Sequence, residues 1–137
     1  MKKSHSILLV EDDRIDVLAV KRALKDINAS NPLDVVGNGE EALAFLRNKA
    51  NKKPGIILLD LNMPKMNGIE FLKIIKQDNE LKIIPVIVLT TSSEEQDRVE
   101  SFKLSVAGYV VKPVDYVQFA EVFKTIHLYW MLNEIPG

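Results

Sequence analysis

The run Ile56-Ile57-Leu58-Leu59 constrains this chain more than any other stretch, because it is closed at once by Asp60 and the turn-forming Leu61-Asn62-Met63-Pro64. A continuous apolar run without alternation suits a strand buried on both faces, the environment of a parallel sheet covered by helices. Such a strand has no low-energy place for a carboxylate, so an acid at its C-terminal tip points to chemistry or to an ion. Ile7-Leu8-Leu9-Val10 runs in the same way into Glu11-Asp12-Asp13, and Pro85-Val86-Ile87-Val88-Leu89 runs into Thr90-Thr91-Ser92. A further segment, Gly108-Tyr109-Val110-Val111, ends in Lys112-Pro113. In open parallel sheets ligands bind beyond the carboxyl ends of the strands, so acids, a hydroxyl and an ammonium would meet at one edge.

Between these runs lie segments of helical period, the alternation expected of repeated βα units: five strands and five helices. Val17, Val20, Leu24 and Ile27 predict a first helix over residues 14–29, stopped by Ser30-Asn31-Pro32. Residues 33–36 form the second strand. A second helix over about 40–48 buries Ala42, Leu43 and Leu46, and residues 51–55 are a polar loop broken by Pro54-Gly55. The third helix starts near Gly68 and packs Ile69, Leu72 and Ile75, with Phe71 and Ile74 widening its apolar face. The fourth strand spans 86–89. The fourth helix, about 93–104, is polar, with only Val99, Phe102 and Leu104 as core contacts, and sparse burial implies low local stability. The fifth, about 115–131, is apolar on more than one face; Phe119, Phe123, Ile126 and Trp130 make one stripe, and Val122 and Tyr129 lie off it. Phe119, Phe123 and Ile126 are read as core, whereas Tyr129 and Trp130 divide evenly between core and interface.

At 137 residues the chain fits one domain. A formal net charge of -1 offers nothing to nucleic acid or to an anionic membrane, and no apolar run could cross a bilayer, so a cytoplasmic protein is expected. The absence of cysteine excludes disulfides, thiolate zinc sites and a cysteine nucleophile. His5 and His127 are isolated, without metal-ligand spacing.

Glu11, Asp12 and Asp60 would bring several negative charges together, which is costly unless a cation compensates them or a pKa rises. An all-oxygen set with open water positions suits Mg²⁺. A carboxylate beside Mg²⁺ can act as a nucleophile toward phosphorus, with Lys112 supplying a positive charge to the phosphoryl group and Thr90 a hydroxyl donor. Asp13 is the bystander of the acidic trio, placed to cap the first helix, and Thr91, Ser92 and Ser93 offer capping oxygens to the fourth.

Glu11-Asp12, the segment Leu59-Asp60-Leu61-Asn62-Met63-Pro64-Lys65-Met66-Asn67-Gly68, Thr90 and Gly108-Tyr109-Val110-Val111-Lys112-Pro113 together closely resemble the receiver domain of two-component response regulators. The resemblance covers essentially the whole chain. It implies a doubly wound, flavodoxin-like α/β fold with strand order 2-1-3-4-5 and helices on both faces, and a single receiver domain over 1–137 without an output domain. It implies that Asp60 is the phosphoacceptor and that Mg²⁺ is held by Asp60, by Asp12 directly, by Glu11 through water and by the Asn62 backbone carbonyl. Thr90 and Lys112 would contact the phosphoryl group, Tyr109 would change rotamer as Thr90 moves, and the Lys112-Pro113 bond would be cis. Asn62 and Ser92 stand where receivers tune loss of the phosphoryl group to water, and Thr91 replaces a common Ala or Gly. The ending Tyr129-Trp130-Met131-Leu132-Asn133-Glu134 resembles single-domain receivers paired with phytochromes, which dimerise through the surface of the fourth helix, fifth strand and fifth helix.

The resemblance implies a sensor histidine kinase, phytochrome-type, or a phosphotransfer protein as donor, with output through a protein partner. Enzymes of the haloacid dehalogenase type also use a strand-end Asp with Mg²⁺, but they need a second Asp two residues on, where this chain has Asn62. A receiver-like binding module that works without phosphorylation is the other alternative; such modules lose an acid, the Thr or the Lys, and all are present. With no helix-turn-helix or basic patch, DNA reading is not expected.

Overall fold

The apolar runs form the predicted sheet. In the computed structural model, which describes residues 6–132, five parallel strands are ordered β2-β1-β3-β4-β5. They are β1 (Ile7–Val10), β2 (Leu33–Val36), β3 (Ile56–Leu59), β4 (Val86–Thr90) and β5 (Gly108–Val111). Helices α1 (Arg14–Asp26), α2 (Gly39–Arg47), α3 (Gly68–Ile75), α4 (Glu95–Lys103) and α5 (Tyr116–Leu132) connect or follow them. His5 and the Asn133-Glu134 part of the C-terminal motif lie outside the described residues.

The period-2 geometry of the strands sorts their side chains onto two cores. Leu8, Val10, Ile57, Leu59, Val86 and Val88 face one way, against Leu43 and Leu46 of α2 and Phe71, Leu72 and Ile75 of α3. Ile7, Leu9, Ile56, Leu58, Ile87 and Leu89 face the other way, against Val20, Ala23 and Leu24 of α1 and Phe119, Phe123 and Trp130 of α5. Continuous apolar runs are therefore required in the three central strands. β2, at the edge, shows the contrast: Leu33 and Val36 are half-buried, while Asp34 and Val35 are exposed.

Local chemistry sets the helix ends. Asp13 caps α1 as expected, its carboxylate accepting from the Ile15 and Asp16 amides. α1 ends at Asp26, earlier than predicted, because Asn28 adopts a left-handed conformation (φ 57°) that the short polar Asn side chain tolerates; the Ala29 amide then turns back to the Leu24 carbonyl. Asn67 and Glu70 form a reciprocal capping box at the start of α3.

Two expectations about helices fail. In α4, Val99 and Phe102 are not core: they are 43% and 53% exposed, and the one buried residue of the helix is Ser101. The inward stripe runs through Asp97, Ser101 and Leu104 at spacings of four and three, which turns Val99 and Phe102 outward. No side chain caps α4: its N-cap is Glu94, and the Ser92 hydroxyl instead donates to Asp97 Oδ2 at 2.6 Å. In α5, Trp130 proves to be core, with its indole N–H donating to the Gly55 carbonyl at 3.2 Å, while Tyr129 is exposed. His127 bonds Asn31 through Nε2 at 2.8 Å and meets the edge of Trp130, a structural setting in which burial pushes its pKa down.

Candidate functional site

The strand order 2-1-3 means that the chain reverses direction across the sheet between β1 and β3, and there the crevice opens beyond the strand ends. Register brings Val10 beside Leu59. The next residue on each strand is an acid, and both are held by the ladder's continuation: the Glu11 amide donates to the Val36 carbonyl at 2.9 Å and the Asp60 amide to the Val10 carbonyl at 3.0 Å. Glu11 and Asp60 are buried, whereas Asp12 is exposed. One carboxylate oxygen from each of Glu11, Asp12 and Asp60 lies within 4.8 Å of the others.

β4 and β5 bring the hydroxyl and the ammonium to the same edge. β4 runs one residue further than predicted, to Thr90, which is fully buried and donates from Oγ1 to Asp60 Oδ1 at 2.7 Å. The same oxygen accepts from the Ser92 amide at 3.2 Å and the Leu61 amide at 3.5 Å, so its hydrogen is directed at Asp60. The Lys112 amide donates to the Thr90 carbonyl at 2.8 Å. Its ammonium, however, is engaged by Glu11 Oε1 and, at 2.7 Å, by Asp16 Oδ2, not by Asp60.

The titration behaviour follows from that packing. Burial pushes Glu11 up to about 7, although the Lys112 ammonium pulls the other way. Burial would lower Lys112, but hydrogen bonds to Asp16 and Glu11 outweigh it, so its pKa is raised and it stays charged. One ammonium facing Glu11, Asp16 and the nearby Asp60 leaves the acid cluster short of positive charge. An all-oxygen set of this kind, with Asp12 open to water, fits a hard divalent cation.

Tyr109 is half-buried and its hydroxyl donates to the Ser92 carbonyl at 3.0 Å, with the Arg98 guanidinium 5.7 Å from its ring centre. Ser92 thus touches both Thr90 and Tyr109. Gly68 packs against the other side of Asp60: a Cβ there would lie 2.6 Å from the Asp60 carbonyl oxygen. Asn62 is exposed two residues beyond Asp60 and is not one of the three converging acids. The expected cis bond at Lys112-Pro113 is not found; no cis peptide occurs among the described residues. Trans is the lower-energy form even before proline, and Lys112 reaches both of its acids from it.

Asp16 and Asp97 escaped the sequence reading. Asp16 lies in the first turn of α1, three residues after the N-cap Asp13, and reaches Lys112 at the same edge; an acid so soon after the strand end was the available signal. Nothing in the sequence pairs Asp97 with Ser92.

Comparison with known proteins bears on this edge directly. A family model described as the response regulator receiver domain matches residues 7–124. Response regulator Rcp1 of Synechocystis sp. is 39% identical over 129 residues, covering 91% of this chain and 88% of that protein. The crystal structure of the phosphorylated cyanobacterial phytochrome response regulator RcpA superposes with a TM-score of 0.91 at 38% identity, covering 98% of this chain and 99% of the other. The Mn²⁺-bound form of Rcp1 superposes with a TM-score of 0.90 at 37% identity, over 97% and 99% of the two chains.

Proposed function

The chain belongs to the response regulator receiver domain family, and from that premise we propose that Asp60 is its phosphoacceptor, served by Mg²⁺ held at Glu11, Asp12, Asp60 and the Asn62 carbonyl. Receivers of this family are response regulators of two-component signalling, and phosphorylation on an aspartate is their mechanism. The observation that carries the assignment to Asp60 is the Thr90 hydroxyl 2.7 Å from its carboxylate, inside the acid cluster.

When bound, Mg²⁺ would be held by the Glu11, Asp12 and Asp60 carboxylates and would supply positive charge to them and to the phosphoryl oxygens. The chain's own residues do the rest. Asp60 attacks phosphorus; a P–O bond to its carboxylate forms as the donor's P–N bond, from a phosphohistidine, breaks. Thr90 turns its hydrogen from Asp60 Oδ1 to a phosphoryl oxygen. Lys112, bonded to Glu11 and Asp16 at the same edge, supplies a positive charge beside the phosphoryl group. Movement of Thr90 acts through Ser92, whose carbonyl holds the Tyr109 hydroxyl, and so reaches the sparsely packed α4.

The only chemistry assigned to the protein is its own phosphorylation and dephosphorylation. The donor is a histidine kinase or phosphotransfer protein in the cytoplasm. Similarity to RcpA and Rcp1 favours a phytochrome-type kinase. Exposed Val99, Phe102, Val111 and Tyr129 favour self-association through the face of α4, β5 and α5.

Intact-mass measurement after incubation with Mg²⁺ and a small phosphodonor tests the reading. A gain of one phosphoryl group is expected, lost on chelation and in Asp60→Ala. No gain in the wild type, or an equal gain in Asp60→Ala, overturns it.

A further inference from the structure

The phosphoryl chemistry above leaves one acid at this edge without a task. Asp16 stands in the first turn of α1, where the helix dipole favours an acid whatever lies opposite. Its carboxylate does more than that: Oδ2 accepts from the Lys112 ammonium at 2.7 Å, across 96 positions of sequence. The turn that presents it is pinned. The Asp16 amide donates to Asp13 Oδ1 at 3.4 Å, and the Asp13 amide donates to Glu11 Oε2 at 3.2 Å, which leaves Glu11 Oε1 to accept from Lys112 as well. The Lys112 side chain is only 6% exposed, so two acids rather than water take two of its three N–H donors.

Asp16 is not one of the three acids whose oxygens converge at the strand ends, so a cation held by those acids leaves its charge in place. Nor does Lys112 need it to stay at the edge, because the buried Glu11 bonds the same ammonium. What Asp16 adds is a second acceptor, drawing the ammonium toward α1, and a negative charge facing an anionic phosphodonor. Both effects oppose phosphoryl uptake. We propose that Asp16 is a positioning residue that restrains Lys112 on the α1 side of the crevice, so that a phosphoryl group has to compete with it for the ammonium. The resting site is thereby a poorer acceptor than Asp60, Thr90 and Lys112 alone would make it. This inference rests on the reading of Asp60 as the phosphoacceptor.

Initial rates of phosphoryl uptake by the full chain, read by intact mass with Mg²⁺ and a small phosphodonor, test it, with circular dichroism as the folding control. Asp16→Asn keeps an acceptor but loses the charge, Asp16→Ala loses both, and Asp16→Glu restores the charge. The first two should take up the phosphoryl group at least about threefold faster than wild type, by a gain that shrinks at high salt, and Asp16→Glu should return toward the wild-type rate. Asp26→Asn removes a charge from the same helix, one that pairs with Arg22 and not with Lys112, and should leave the rate unchanged. Lysine ammonium NMR of the metal-free, unphosphorylated protein reads the restraint without any activity: the Lys112 ammonium protons should exchange with water faster in Asp16→Ala than in wild type. Rates at or below wild type in Asp16→Asn and Asp16→Ala, an equal gain in Asp26→Asn, or unchanged ammonium exchange overturns the inference while Asp60 remains the acceptor. No uptake by wild type overturns it together with the phosphoacceptor reading.

Discussion

Glu11 makes divalent-metal binding a sensitive function of pH. Its carboxyl is buried at the end of β1 and its pKa is raised to about 7, even with the Lys112 ammonium beside it. A cation that uses Glu11 must displace its proton, so apparent affinity follows the ionised fraction. That fraction is about 90% at pH 8, about 10% at pH 6 and about 1% at pH 5 for a group half-ionised near 7. Apparent Mg²⁺ affinity should therefore fall about tenfold from pH 8 to pH 6, and about tenfold more by pH 5. Calorimetric titration at each pH, on the wild type and on Glu11→Gln, measures it. The variant has no proton to displace at this position and should bind more weakly but with the slope between pH 6 and 8 flattened. A wild-type affinity that does not change over that interval, or a variant that keeps the wild-type slope, refutes the reasoning.

The same group links pH to stability. Its folded pKa lies above the ordinary 4.5, so between about 4.5 and 7 the native state holds a proton that the unfolded chain has released. Metal-free protein should lose stability in urea melts as pH rises through that window, and Mg²⁺ should restore it at the upper end. Thr90→Val deprives the Ser92 amide of its acceptor and Asp60 of its donor, and should cost about 1–3 kcal/mol in denaturant unfolding while slowing phosphorylation; Thr90→Ser should retain most of both. Gly68→Ala drives a Cβ to 2.6 Å from the Asp60 carbonyl and should destabilise by about 1–3 kcal/mol with slower phosphorylation, whereas Gly108→Ala, whose nearest neighbour is at 3.8 Å, should be close to neutral. Trp130→Phe leaves the Gly55 carbonyl without its indole donor and should lower the thermal midpoint, while Tyr129→Ala should leave it nearly unchanged.

Much of this was legible because burial leaves a mark on composition. The strands of the sheet's centre read as unbroken apolar runs since helices cover both faces, and their polar endings fall together because parallel strands end at the same edge. Leu81 and Ile84 were not legible as core: they are buried from a turn, anchored by Asp78 accepting from the Glu80 and Leu81 amides, and a turn has no period. In α4 the period was present but its phase was wrong, since the side chain that fills the inward position is Ser101 rather than the larger Phe102. At the site, residue types announced which groups could react, but not which partners they take. Lys112 bonding Glu11 and Asp16 in place of Asp60 depends on where α1 sits over the strand ends, and the trans bond to Pro113 shows that an expectation drawn from kinship need not transfer.

The central claim is that the phosphoryl group resides on Asp60. Reductive trapping decides it: an acyl phosphate treated with borohydride is reduced to the alcohol, and peptide mass mapping of protein phosphorylated with Mg²⁺ and a small phosphodonor then reads which side chain was converted. Conversion of Asp60 to homoserine, with Glu11, Asp12 and Asp16 unchanged, is the predicted result. Conversion at one of those other acids, or none in protein shown to carry the phosphoryl group, would contradict it.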